Sequence, residues 1–169
     1  MSSTRPPERR SRLTRTLARA FACALTPAVA LGACSDPAGP LDARRALERS
    51  ERAWHDQGIT SYTYLVEHTC FCVPEVTRPM HVTVQGGTVT AATYGDTGEP
   101  VPAEVARVAP TVDQLFQVIG DAITRNAYRV RATYDPALSY PTSIDIDYDA
   151  RTADDEQSYT ASGLAPATP

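Results

Sequence analysis

Apolar positions along the chain follow two periods. In DARRALERSERAWHDQ, residues 42–57, Ala43, Leu47 and Trp54 recur at i, i+4 and i+11 among arginines and glutamates, the stripe of an amphipathic helix. Asp42 is placed to cap it, and Gly58 is placed to end it. From residue 61 the period changes to two: SYTYLVEHTCFC puts Tyr62, Tyr64, Val66, His68, Cys70 and Cys72 on one face of a strand. MHVTVQGGTVTAATY, 80–94, reads as a hairpin closed by Gly86-Gly87, with Val84 opposite Val89 and Val82 opposite Ala91.

A connection rich in Gly, Pro and charge runs from Gly95 to Pro110. Thr111 and Gln114 then form the two ends of a capping box. Val112, Leu115, Phe116, Ile119, Ala122 and Ile123 supply the apolar stripe of a second helix, which Asn126 can end. YRVRATY, 128–134, and TSIDIDYD, 142–149, alternate as strands. If Thr133 lies opposite Ser143, Arg131 faces Asp145 and Arg129 faces Asp147 on the solvent side. SYTASGL, from Ser158, is a candidate short last strand. The order is α-β-β-β-α-β-β-(β). Only the second helix makes a long crossover, so the pattern predicts an α+β fold: a mainly antiparallel sheet of five to six strands with two helices on one face.

The N-terminal segment follows neither period. Residues 1–19 carry six arginines and one acidic residue, and an apolar run of 14 residues, Ala20–Ala33, follows. Such a run makes a helix of about 21 Å, too short for a bilayer core of roughly 30 Å, and it reads as a signal peptide. Arg9-Arg10 resembles a twin-arginine signal, but Arg12 stands where that signal has an aromatic or apolar residue. Leu31-Gly32-Ala33-Cys34 resembles the lipobox of bacterial lipoproteins, which implies that Cys34 is lipidated on sulfur, cleaved from the leader and acylated on its new amine. An ordinary signal peptide with a chance cysteine is the plainer alternative. The expected organisation is a lipoprotein-type signal peptide at 1–33, a lipidated tether at 34–40, one domain at 41–164 and a loose tail at 165–169.

Removing the leader changes charge and thiol count. The chain has sixteen arginines and no lysine against twenty acidic residues; residues 34–169 keep ten arginines and nineteen acidic side chains, a net charge of −9. That surface repels nucleic acid and anionic lipid, so no nucleic-acid partner is expected, and contact with the membrane falls to the lipid on Cys34. Cys23 leaves with the leader and Cys34 becomes a thioether, which leaves Cys70 and Cys72 as the remaining thiols of a protein in the oxidising envelope.

Candidate chemistry is sparse. No G-x-S-x-G, H-E-x-x-H, P-loop or G-x-G-x-x-G is present. No catalytic residues, cofactor or metal site are assigned. His68 and Cys70 could form a nucleophile pair but lack a third group to orient them. Asp145, Asp147, Asp149 and the Asp154-Asp155-Glu156 run invite a calcium reading, yet they lack the EF-hand order and fit an amphipathic strand with Ile144, Ile146 and Tyr148 inward. His68, Cys70 and Cys72, with His81 on the next strand, have soft-metal ligand types, but a straight strand spreads them along a line. A Cys70–Cys72 disulfide is the preferred assignment; redox use, a metal clamp and buried free thiols are the alternatives. In an extended strand their Cα atoms would sit about 6.5–7 Å apart, so a bridge requires a kink at Phe71, and Pro74 marks the end of pairing.

Tyr62-x-Tyr64, Cys70-Phe71-Cys72, Tyr134-Asp135-Pro136 with Tyr140-Pro141, Ile144-x-Ile146-Asp147 and Asp154-Asp155-Glu156 together resemble a family of small bacterial secreted proteins and lipoproteins of unknown function. The resemblance covers about residues 45–162. It implies an exported α+β domain with the tyrosine–proline turn and acidic loop as its signature, and it implies no activity. The expected role is therefore a lipid-anchored envelope domain that binds an envelope protein or a small ligand. A thiol-redox or metal-handling role for Cys70 and Cys72 is the alternative.

Overall fold

The computed structural model describes residues 39–152 and 154–167, all within one compact unit, Ser35–Pro169. The leader and Cys34 lie outside the described residues. The elements run α1 (Pro40–Asp56), β1 (Tyr62–Thr69), α2 (Pro74–Thr77), β2 (Met80–Gln85), β3 (Thr88–Tyr94), α3 (Ala103–Ala106), α4 (Val112–Thr124), β4 (Arg129–Tyr134), β5 (Pro141–Asp147) and β6 (Gln157–Pro166). The six strands form one antiparallel sheet ordered β3-β2-β1-β6-β5-β4.

Each helix begins where its capping chemistry dictates. For α1 the cap is Gly39 with Pro40 in the first turn, so Asp42 sits inside the helix rather than capping it. Gly58 follows the C-cap at φ 64, a left-handed conformation that glycine adopts without a Cβ penalty. In α4 both halves of the capping box form: Gln114 N–H donates to Thr111 Oγ1, and Thr111 N–H donates to Gln114 Oε1. All six residues of its expected stripe are buried. The helices α2 and α3 have four residues each, too short for an apolar period to reveal them.

Core packing fills the helix-covered face of the sheet. Tyr62, Tyr64 and Val66 of β1, Met80, Val82 and Val84 of β2, Ile144 and Ile146 of β5 and Tyr159 and Ala161 of β6 meet Leu47 and Trp54 of α1 and the α4 stripe. Trp54 packs edge-on against Tyr62 and donates its Nε1–H to Asp113 Oδ1 at 3.2 Å, which ties the end of α1 to the start of α4. Tyr62 Oη in turn accepts the buried Val112 N–H at 2.8 Å, and Tyr64 donates to the Pro110 carbonyl.

Several expected pairings are corrected by irregularities in the ladder. Val84 does face Val89, but a bulge between Thr83 and Val84 puts Val82 opposite Ala92 instead of Ala91. The β4–β5 register places Thr133 opposite Ser143, Arg131 opposite Asp145 and Arg129 opposite Asp147, as the charge pattern predicts, but Asp147, expected on the solvent side, is buried. β6, expected as a short optional strand, is the longest and lies near the middle of the sheet, between β1 and β5. It runs to Pro166, so Ala165 and Pro166, expected in the tail, pair with Thr63 and Tyr62. The C-terminal half of edge strand β3 is covered by the following loop, where Tyr94 N–H reaches Glu99 O and Val101 N–H reaches Ala92 O.

Candidate functional site

The loop that follows β1 carries the group of side chains with the richest chemistry. Pairing of β1 with β6 ends at Thr69, opposite Ser158. Cys72 N–H then donates to Cys70 O at 2.8 Å, a turn centred on Phe71. The turn shortens the Cys70–Cys72 Cα separation to 5.2 Å and brings the sulfurs to disulfide distance, 1.95 Å. The straight-strand expectation for 61–72 fails at this point: β1 ends at Thr69, before either cysteine. The kink expected at Phe71 is present. Pro74 opens α2 immediately afterwards and, having no N–H, fits a first helical turn where that donor would go unpaired.

His68 is held by its neighbours on the sheet. It lies opposite Tyr159, and the two rings stack at 4.0 Å with an interplanar angle of 6°. Its Nδ1 sits 3.6 Å from Cys70 Sγ. Its Nε2 is buried without a hydrogen-bond partner. Burial lowers the pKa of His68, and the Gln157 side chain opposes that shift. The Gln157 amide Nε2 donates to Tyr148 Oη at 3.2 Å. Burial thus favours the neutral ring, in which one nitrogen carries a lone pair that can accept a proton or a metal. The ligand atoms of His68, Cys70 and Cys72 all lie within 4.8 Å of one another. His81, expected to join them, is on the neighbouring strand but on its exposed face, opposite Leu65 and Thr93.

Exposed apolar side chains lie in the same loop and in the segment before α4. Phe71 is 85% exposed and Val73 58% exposed, and Val108 across the fold is 54% exposed. Val76 and Val108 share a small cleft with His68, Arg78 and Pro110 whose volume, about 10 Å³, is that of a single water. Arg78 lies over the Tyr94 ring at 3.6 Å and pairs with Asp96 at 2.6 Å, which fixes one rim of the cleft. A shallower groove of about 560 Å³ lies elsewhere, between the Gly87–Ala91 stretch of the hairpin and Ala103, Ala106, Arg107 and Gln114. Its lining is small and polar, with no cluster of reactive groups.

Arginines hold the three alternate aspartates Asp145, Asp147 and Asp149. Arg129 Nε reaches Asp145 Oδ1 at 2.9 Å and its Nη1 reaches Asp147 Oδ2 at 3.3 Å. The expected Arg131–Asp145 pair does not form among the described residues, because Arg129 reaches diagonally to Asp145; Arg131 instead lines a cleft against α1. Asp149 is held by Arg151 at 2.9 Å. Asp145, Asp149 and one oxygen of Asp147 are thereby paired, while Asp147 Oδ1 and Asp155 Oδ1 are buried without a hydrogen-bond partner.

An α+β domain with an antiparallel sheet, covered on one face and bearing a His-Cys-Cys cluster at the end of β1, is the class of protein these features define. By its match over residues 46–166 the chain belongs to a family of unknown function (DUF6174). No curated protein and no solved structure matches it.

Proposed function

We propose that the chain is an exported, lipid-anchored envelope domain that acts by binding, with the Cys70–Val73 loop as its contact surface. The basic leader, the apolar run and the Leu31–Cys34 motif support export and lipidation at Cys34; they lie outside the described residues. The observation that carries the binding reading is Phe71, 85% exposed at the tip of a turn framed by two cysteines. A Cys70–Cys72 disulfide would hold that ring in water, where it contributes nothing to folding. Burying a phenylalanine against a partner is worth about 1.5–3 kcal/mol, and a constrained loop loses less entropy when it docks. The net charge of −9 on residues 34–169 favours an envelope protein or a small ligand over nucleic acid or anionic lipid.

A photo-crosslinking amino acid at position 71, compared with one at the exposed Tyr128 on the far side of the sheet order, tests the surface. A discrete adduct from position 71 alone is expected. Equal labelling from both positions, or from neither, refutes the assignment. The anchor is tested by Cys34→Ala, which should leave an unprocessed precursor without lipid; partition into membranes at the mature mass would refute it.

A second reading, thiol-redox or metal handling at Cys70 and Cys72, draws on the 3.6 Å approach of His68 Nδ1 to Cys70 Sγ.

A further inference from the structure

Alternate residues of a straight strand point their ligands along a line, which would bar a metal at residues 68–72. The turn at Phe71 removes that obstacle. We propose that His68, Cys70 and Cys72, once the cysteine pair is reduced, form a three-ligand site for one soft or borderline d10 cation of the Zn²⁺ class. The loop would then alternate between a disulfide and a metal thiolate. This rests on the thiol reading just given and adds to it the species bound.

Distances support the assignment. With metal–sulfur bonds of about 2.3 Å and metal–nitrogen bonds of about 2.0–2.1 Å at tetrahedral angles, a nitrogen and a sulfur ligand stand about 3.5–3.6 Å apart. His68 Nδ1 and Cys70 Sγ are 3.6 Å apart with no ion between them. That half of the site is formed in advance, because the Tyr159 stack and the β1–β6 ladder fix the imidazole plane. The other half requires the reduced sulfurs to stand about 3.7 Å apart, the spacing of two thiolates on one tetrahedral ion. Cys72 is exposed and can rotate to supply this spacing, and the 5.2 Å Cα separation need not change.

A dithiol of the envelope transfers two electrons and two protons to the Cys70–Cys72 disulfide, becoming a disulfide itself and leaving two thiols. The cation then displaces both thiol protons to solvent, while neutral His68 contributes a lone pair from Nδ1. Three protein ligands leave a fourth position, and with Cys72 and Phe71 exposed that position opens to solvent or to a partner's ligand. Such a site suits an exchangeable ion better than a structural one. Soft ligands also exclude magnesium and calcium, which require oxygen.

The test uses the purified protein, reduced anaerobically with a phosphine that is then removed, and titrated with Cd²⁺ as a spectroscopic probe and with Zn²⁺ against a chelator. One ion per chain, a thiolate-to-metal absorption band and no uptake by the oxidised protein are expected. His68→Phe keeps a ring to stack on Tyr159 and removes the nitrogen. Its affinity should fall by at least the 10–100-fold, order of magnitude, that loss of a ligand's supporting partner costs. Cys72→Ser should abolish stoichiometric binding. The proposal is overturned if the reduced protein takes up no ion, or if His68→Phe binds as tightly as the parent. If His68→Phe does not fold, the Nδ1 nitrogen resonance of His68 in the parent protein replaces it, and a resonance unmoved at full loading is equally fatal. Reversible reduction and reoxidation without ion uptake would overturn the metal site and leave the thiol reading standing. A pair that cannot be reduced without unfolding the domain would remove both.

Discussion

Reducing the Cys70–Cys72 pair should cost the fold little, and the size of that cost decides what the pair is for. A bridge across three residues removes few conformations from the unfolded chain: the loop-entropy relation gives about 1.6 kcal/mol at 25 °C for so small a ring. Packing adds little to this. Cys72 and Phe71 are exposed and Cys70 is half-buried, so opening the bridge uncovers almost no core. The β1–β6 ladder ends at Thr69, before the first cysteine, so no strand pairing depends on the bond. Urea unfolding with and without a phosphine reductant measures the difference. Trp54, the sole tryptophan, is a suitable reporter because it packs on Tyr62 at the other end of β1, about 25 Å of strand away from the loop. The expected result is a midpoint lowered by about 0.5–1.5 M urea with an unchanged slope, since the surface exposed on unfolding is the same. A loss above about 3 kcal/mol, or a changed slope, would make the bridge a structural staple and end the thiol reading. Alkylation of the natively purified, denatured protein without reductant supplies the control: uptake of two alkyl groups would mean that there is no bond to reduce.

Three further outcomes follow from other parts of the fold. Tyr62→Phe removes the acceptor of the buried Val112 N–H at the start of α4, and an orphaned buried donor costs about 1–3 kcal/mol, so thermal and urea midpoints should both fall; unchanged midpoints would mean that another acceptor reaches that N–H. Burial pushes the Tyr62 and Tyr134 hydroxyls up to about 12 from an ordinary value of 10, so the folded protein holds protons that the unfolded chain releases. Their contribution is therefore complete below pH 10 and lost as the pH rises through 12; stability should decline over that window, less steeply in Tyr62→Phe, and a flat profile would contradict the burial argument. Millimolar calcium should raise the melting temperature by less than about 2 °C, because Arg129 and Arg151 already hold Asp145, Asp147 and Asp149; a site filled at 100 times its dissociation constant would add about 2.7 kcal/mol, which calorimetry would detect at once.

Where local chemistry determines structure, the chain could be read directly. The helix α4 is specified by a capping box and a six-residue stripe that need nothing beyond their own segment. The β4–β5 register was legible because a one-residue slip would have turned Arg129, Arg131 and Asp145 into the core. β6 was harder, because Ser158, Thr160, Ser162 and Gly163 form a weak alternation. Its place beside β1 and β5 comes from pairing with segments far away in sequence, which no local pattern encodes. The cluster at 68–72 failed for a related reason. The period-two pattern runs on to Cys72 although the strand stops at Thr69, and Pro74 is the one local signal of that end. Two facts then assemble the site, and neither could be read from residues 68–72 alone. One is a backbone turn from Cys72 N–H to Cys70 O; the other is a ring stack between His68 and Tyr159, 91 residues further on. Because the turn breaks the strand where the stack holds it, the sulfurs swing toward a histidine that cannot follow them. A sequence that obeyed its own alternation to Cys72 would have kept the three ligands apart; the departure from the pattern is what makes a site there possible.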